Sequence, residues 1–211
     1  MDELELLKKD WDKSNDRYPK LTYKEIYKML QAKSSSIVKW IFIISLLEFA
    51  FWTGIGFLLK DYKTLENVED IERILLPISI VSYAVLIYFF YLFYRNYRRI
   101  TSTDSTKNLM KTILKTRQTV KYYVGFNLIS LVIGVFWGSF YALNHDPSTV
   151  ELINTASANG EILKYYVGII IVIIFALTIT IGFLLLFYWL VYGILLKRLN
   201  RNYRELKKLE V

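Results

Sequence analysis

The run Tyr165–Leu196, YYVGIIIVIIFALTITIGFLLLFYWLVYGILL, contains no charged residue. A helix needs about 20 apolar residues to cross a hydrocarbon core of about 30 Å. This run exceeds one crossing by roughly a dozen residues, yet is too short for two crossings and a turn. It predicts one helix that tilts strongly or continues past the membrane surface.

Three further apolar runs precede it. They are Trp40–Leu59 (WIFIISLLEFAFWTGIGFLL), with Glu48 as its single charge, and Ile74–Tyr94 and Val124–Leu143, with none. The pattern predicts an all-α membrane four-helix bundle with spans at 40–59, 74–94, 124–143 and 165–190. On this reading residues 1–36 form an N-terminal helical segment and 37–196 the membrane domain. Residues 95–123 are a basic loop within that domain, and 197–211 a basic helical tail.

Composition narrows the chemistry. The chain has 211 residues, 54% of them hydrophobic, no cysteine, and His145 as its single histidine. Disulfides and thiolate chemistry are excluded, and most zinc and haem chemistry with them. No HExxH, GxSxG, phosphate loop or paired-carboxylate motif is present, so the expectation is a non-enzymatic protein with no cofactor and no metal site. The net charge of +8 is read as the positive-inside bias of a membrane protein rather than as a nucleic-acid footprint. The first 36 residues are charged throughout, which does not fit a cleavable signal peptide.

Charge also orients the spans. Residues 95–123 carry Arg95, Arg98, Arg99, Lys107, Lys111, Lys115, Arg117 and Lys121 against Asp104 alone, and both terminal segments are rich in lysine and arginine. The connections 60–73 and 144–164 are acidic on balance and short. The expected topology places both termini in the cytoplasm of a bacterial inner membrane. Trp40, Tyr94, Tyr122, Tyr123, Tyr165, Tyr166 and Trp189 sit where interfacial aromatic belts are expected.

The cytoplasmic segments are amphipathic. Leu4, Leu7 and Trp11 line one face of a first short helix. Thr22 and Glu25 have capping-box spacing, Leu21 and Ile26 have staple spacing, and Ile26 and Leu30 continue the apolar stripe. Ser34-Ser35-Ser36 reads as either continuous helix or a hinge. A further helix start falls at Thr103 or Asp104, with Leu109, Ile113 and Val120 down one face into the third span. After the fourth span, Leu196, Leu199, Tyr203 and Leu206 alternate as in a short coiled-coil seam. Packing against one another is the default use of such faces. The charge-balanced segment 1–33 suits a cytoplasmic protein partner, with Leu4, Leu7, Trp11, Ile26 and Leu30 as the candidate face. The basic segment 95–123 suits anionic lipid.

Within the spans, Glu48 stands out. It lies about 12 Å below Trp40 at 1.5 Å per residue. A carboxyl group there must face other helices, be protonated or meet water. Tyr83, Ser82, Ser130 and Tyr188 are the depth-matched candidate partners, and no lysine or arginine lies at that depth. The functional reading is a proton or cation site; the alternative is a carboxyl bonded between helices. Gly134 and Gly138 form a GxxxG pair expected to serve helix packing. Pro77 begins or kinks the second span, and Asn127 is expected to bond a neighbouring helix. His145 and Asp146 read as exposed loop.

The stretches DELELLKKDW, LTYKEIYKML, KSSSIVKWIFIISLLEF and STKNLMKTILKTRQTVKYY together resemble a group of small bacterial four-span membrane proteins without an assigned biochemical role. Some of that group are labelled carotene oxygenases. Iron-type carotene cleavage needs several histidines, and only His145 is available. The chain is also similar to membrane regulators encoded beside sigma factors, which implies an anti-sigma-like role for residues 1–33. The leading function is a regulator or adaptor that binds a cytoplasmic protein through its N-terminal helices; the alternative is a small proton-coupled transporter or channel, oligomeric, centred on Glu48.

Overall fold

The structure is a computed structural model that describes residues 21–60 and 68–209, with side chains described over 21–58 and 76–209. It is all-α. Among the described residues there are five helices: α1 (Tyr23–Lys60), α2 (Val68–Ser102), α3 (Thr106–His145), α4 (Pro147–Ala158) and α5 (Ile162–Leu209). The four long ones are apolar enough to cross a membrane and pack as a bundle.

Each long helix outruns the bilayer. At 1.5 Å per residue α1 is about 57 Å long, against a hydrocarbon core of about 30 Å. The amphipathic segments are therefore direct continuations of the spans. Ser34-Ser35-Ser36 lies inside α1 without a break. Segment 95–123 is a helical hairpin rather than a loop, turning only at Thr103–Ser105. α5 passes from its apolar run into the basic tail through one π-turn at Trp189–Gly193. Pro77 sits within α2, which continues through it.

The N-terminus of α1 is fixed locally. The Thr22 backbone N–H donates to Glu25 Oε2 at 2.7 Å, the Thr22 hydroxyl donates to the same oxygen at 2.8 Å, and the Glu25 N–H reaches Thr22 Oγ1 at 3.4 Å. The first turns of α1 then cap the α2–α3 hairpin. The Tyr27 hydroxyl and Gln31 Nε2 both donate to the Thr103 carbonyl, at 2.8 and 2.6 Å, and Gln31 also reaches the Ile100 carbonyl at 3.0 Å. These carbonyls have no acceptor role inside a helix that is ending, so a side-chain donor satisfies them.

Packing is confined to one half of the bundle. At the end carrying the start of α1, the α2–α3 turn and the end of α5 (the basic end), Leu30, Val38, Ile100, Leu109, Ile113, Leu199 and Leu206 form one buried cluster. Asn202 Nδ2 donates to Ser34 Oγ at 3.1 Å within this region. A second cluster, nearer mid-span, joins Ile41, Phe89, Phe93, Val120, Tyr123, Leu184, Tyr188 and Tyr192. Towards the opposite end, Leu177 is the one described residue that is buried. Apolar faces need no protein cover where lipid covers them, but faces that extend into water must pack on one another.

The connection between α3 and α5, expected as exposed loop, contains α4. Asp146 caps it by accepting from the Thr149 N–H at 3.0 Å, and Pro147 takes the first helical position. Proline there gives up an N–H that would be unpaired in any case.

Candidate functional site

Glu48 comes from α1 and is buried, 8% exposed. Its carboxyl accepts three hydrogen bonds, all from tyrosine hydroxyls on two other helices. Tyr188 donates to Oε1 at 2.5 Å. Tyr123 and Tyr192 donate to Oε2 at 3.0 and 3.1 Å. A carboxylate is acceptor-only and offers about four lone-pair sites, so three hydroxyl donors suit its ionised form. A hydroxyl also accepts when it rotates, so the same shell can serve the protonated form.

The shell is held by aromatic packing. The Tyr123 ring meets Phe89 and Phe93 edge-on, at centroid distances of 5.7 and 5.6 Å. Tyr192 packs against Tyr123 at 6.1 Å and Tyr188 at 5.9 Å. Tyr192 lies in the π-turn of α5, four residues after Tyr188. A π-turn inserts one residue into the helical repeat and re-registers the faces on either side of it. Here Tyr188 and Tyr192 both face Glu48 while Leu199 and Leu206 face the basic-end cluster.

On the other side, Glu48 borders a cavity of about 680 Å³ between the spans. Its lining includes Phe49, Trp52, Thr53, Tyr83, Tyr123, Asn127 and Tyr188. Among the described residues, no lysine, arginine, histidine or second acid lines it. Towards the basic end the site is closed by Ile41, Phe93 and Val120, which are essentially inaccessible, and by Tyr192.

Of the residues that depth matching nominated, Tyr188 is bonded to Glu48. Tyr83 shares the cavity but not a bond; its ring stands edge-on to Phe49 at 5.9 Å and is about half exposed. Ser82 and Ser130 are half-buried and outside the lining. Tyr123 and Tyr192 were absent from the nominated set. Tyr123 precedes the apolar run of the third span, Tyr192 follows residue 190, and both were read by position rather than by contact. The spacing of Tyr188 and Tyr192, one helical turn apart on one face, was the available signal.

Other expectations are corrected. Leu30 is 3% exposed and Ile26 packs on the same cluster, so two residues of the candidate partner face lie in the chain's own core. Leu4, Leu7 and Trp11 lie outside the described residues. Among the described residues, a Cβ built on Gly134 or Gly138 meets no atom within 4 Å. The third span borders its neighbours through Tyr123, Asn127 and Leu131 instead. His145 ends α3 and stacks on Tyr141 at 4.2 Å. Among the described residues no group of three His, Asp or Glu side chains is placed to hold a metal ion.

Residues 24–211 match the profile of a family described as a domain of unknown function (DUF8845). The match spans most of the chain, and the chain belongs to that family. No curated protein and no solved structure matches it.

Proposed function

We propose that this member of the family, a multi-pass membrane protein, is a small non-enzymatic transporter or channel that moves protons or cations by way of Glu48. The observation that carries the proposal is the Glu48 carboxyl held by three tyrosine hydroxyls beside a cavity between spans. Ionisable side chains inside a membrane are costly and mark ion or proton pathways by default. The tyrosine shell suits both protonation states, which a proton carrier must alternate between. Access from one side with closure on the other is the arrangement that alternating access requires at a midplane site.

Orientation follows the charge rule. The basic end exposes Arg98, Arg99, Lys107, Lys111, Lys197, Arg198 and Arg201. In the proposal this end faces the cytoplasm of a bacterial inner membrane, and its cations meet anionic lipid headgroups. Oligomerisation through lipid-facing helices belongs to the same reading.

The test is proton flux in liposomes containing the purified chain. Glu48→Gln is expected to abolish flux while the protein elutes and unfolds as wild type does, and Glu48→Asp to retain part of it. Wild-type flux in Glu48→Gln would reduce Glu48 to an interhelical bond. A regulator that binds a cytoplasmic protein through residues 1–20 is the competing proposal. It rests on Leu4, Leu7 and Trp11, since Leu30 is buried within the chain and Ile26 is partly buried against the same cluster. Crosslinking in cells with and without residues 2–20 decides it: a partner lost on deletion supports it, and no partner removes it.

A further inference from the structure

We infer that the cavity beside Glu48 is a binding site for lipophilic organic cations, that is, amines or quaternary ammonium and phosphonium groups bearing flat apolar substituents. The inference rests on the proton or cation reading of Glu48 and names the substrate class.

Size comes first. At about 680 Å³ the cavity falls within the range of small-molecule sites, roughly 300–1,000 Å³. A bare proton or inorganic ion needs no such volume, and a hydrated ion would face walls that are mostly apolar.

The walls are aromatic. Phe49 and Trp52 of α1, Tyr83 of α2, Tyr123 of α3 and Tyr188 of α5 all line the space. Trp52 and Tyr83 are about half exposed, so their ring surfaces are not consumed by packing. A cation over such rings is attracted by their quadrupole, most strongly over tryptophan. An anion would find hydroxyl, indole and amide donors at Trp52, Thr53, Ser79, Tyr83 and Asn127, but among the described residues of the lining no cationic side chain to balance its charge.

Charge decides the sign. Among the described residues, Glu48 is the only acid in the lining, and no lysine, arginine or histidine lines it. The titratable groups around it are phenols: Tyr83 on α2, Tyr123 on α3, and Tyr188 and Tyr192 on α5. A monovalent cation therefore leaves the site neutral, as a proton on Glu48 does. The two compete for one carboxylate. That competition is a coupling mechanism in itself.

The experiment uses the purified full chain in lipid nanodiscs with tetraphenylphosphonium as probe and tetraphenylborate, of the same shape and opposite charge, as control. Saturable tetraphenylphosphonium binding is expected. Glu48→Gln should weaken it by about tenfold or more. Trp52→Leu, whose side chain lies at the accessible rim, should weaken it about three- to tenfold. Circular dichroism and elution volume check both variants, and Glu48→Asp replaces Glu48→Gln if the latter does not fold. Equal uptake of tetraphenylborate, or binding indifferent to Glu48→Gln, would reduce the effect to apolar partitioning and overturn the inference. Binding that is sensitive to Glu48 but indifferent to Trp52→Leu, and matched by tetramethylammonium, would assign a compact cation and overturn the lipophilic class. No binding, alongside proton flux that still depends on Glu48, would overturn the inference and leave the proton reading standing. Glu48-dependent binding without any flux would do the reverse.

Discussion

The Tyr188 hydroxyl donates to Glu48 Oε1 at 2.5 Å, joining α5 to α1 inside the membrane-spanning part of the bundle. Four residues further along α5, Tyr192 donates to the other carboxyl oxygen, so the last span grips the first through both oxygens of one side chain. Removing a single donor should separate structure from function. Tyr192→Phe leaves two donors on the carboxyl and is expected to cost about 1–3 kcal/mol. Thermal unfolding in detergent checks it, with Tyr83→Phe, which has no bond to Glu48, expected to unfold as wild type does.

The basic-end cluster predicts a different outcome from a partner-binding face. Leu30 is buried against Leu109, Ile113 and Leu199, so Leu30→Ala should cost about 2–5 kcal/mol by opening a cavity. Met29→Ala, one position away on the exposed side, should change stability little. Denaturant unfolding of both variants, in the same detergent, distinguishes a core position from a free surface. Equal stability of the two would place Leu30 outside the core.

The capping box makes α1 sensitive to acid at its start. The Thr22 backbone N–H and hydroxyl hold the Glu25 carboxyl below its ordinary range. A group whose folded-state pKa is lowered contributes stability above its unfolded pKa, and loses it as pH falls through the folded value. Fraying of the first turn is therefore expected only below the ordinary glutamate range, and Thr22→Ala should move it to higher pH. Hydrogen exchange at the Ile26 and Tyr27 amides reads the effect, which would be absent if the cap did not form.

Gly134 and Gly138 offer a test of oligomerisation. Among the described residues, nothing lies within 4 Å of a Cβ placed on either. Gly134→Ala and Gly138→Ala should leave the monomer intact and, by helix propensity, stabilise α3 by about 0.5–1 kcal/mol each. Loss of a crosslinked dimer in these variants, with monomer stability preserved, would assign the pair to an interface between copies. An unchanged crosslinking pattern would leave it facing lipid.

Much of the architecture was legible without coordinates. Four uncharged or nearly uncharged runs, each long enough to cross a bilayer, have few stable alternatives to spanning helices. The excess length of Tyr165–Leu196 announced a helix that leaves the membrane. Thr22 and Glu25 announced where α1 starts. Less was legible where two readings share one pattern. The Ile26–Leu30 stripe looks the same whether it meets a partner or its own chain, because amphipathicity records that a face is covered and not by what.

The site shows the same division. Sequence singled out Glu48, because one carboxyl among apolar residues is a solvation anomaly at any register. Its partners depended on how far each helix is shifted and tilted against its neighbours. A ruler that starts every span at its first apolar residue places Tyr123 and Tyr192 at the surface, yet both reach Glu48. The π-turn at Trp189–Gly193 and the stagger of α3 against α1 bring them there. Hydrophobicity acts on each segment separately, so the chain alone determined that there are four spans and one buried charge. Contacts between helices depend on relative rotation and height, which no single segment encodes, so only the tertiary structure decided that three tyrosines surround that charge.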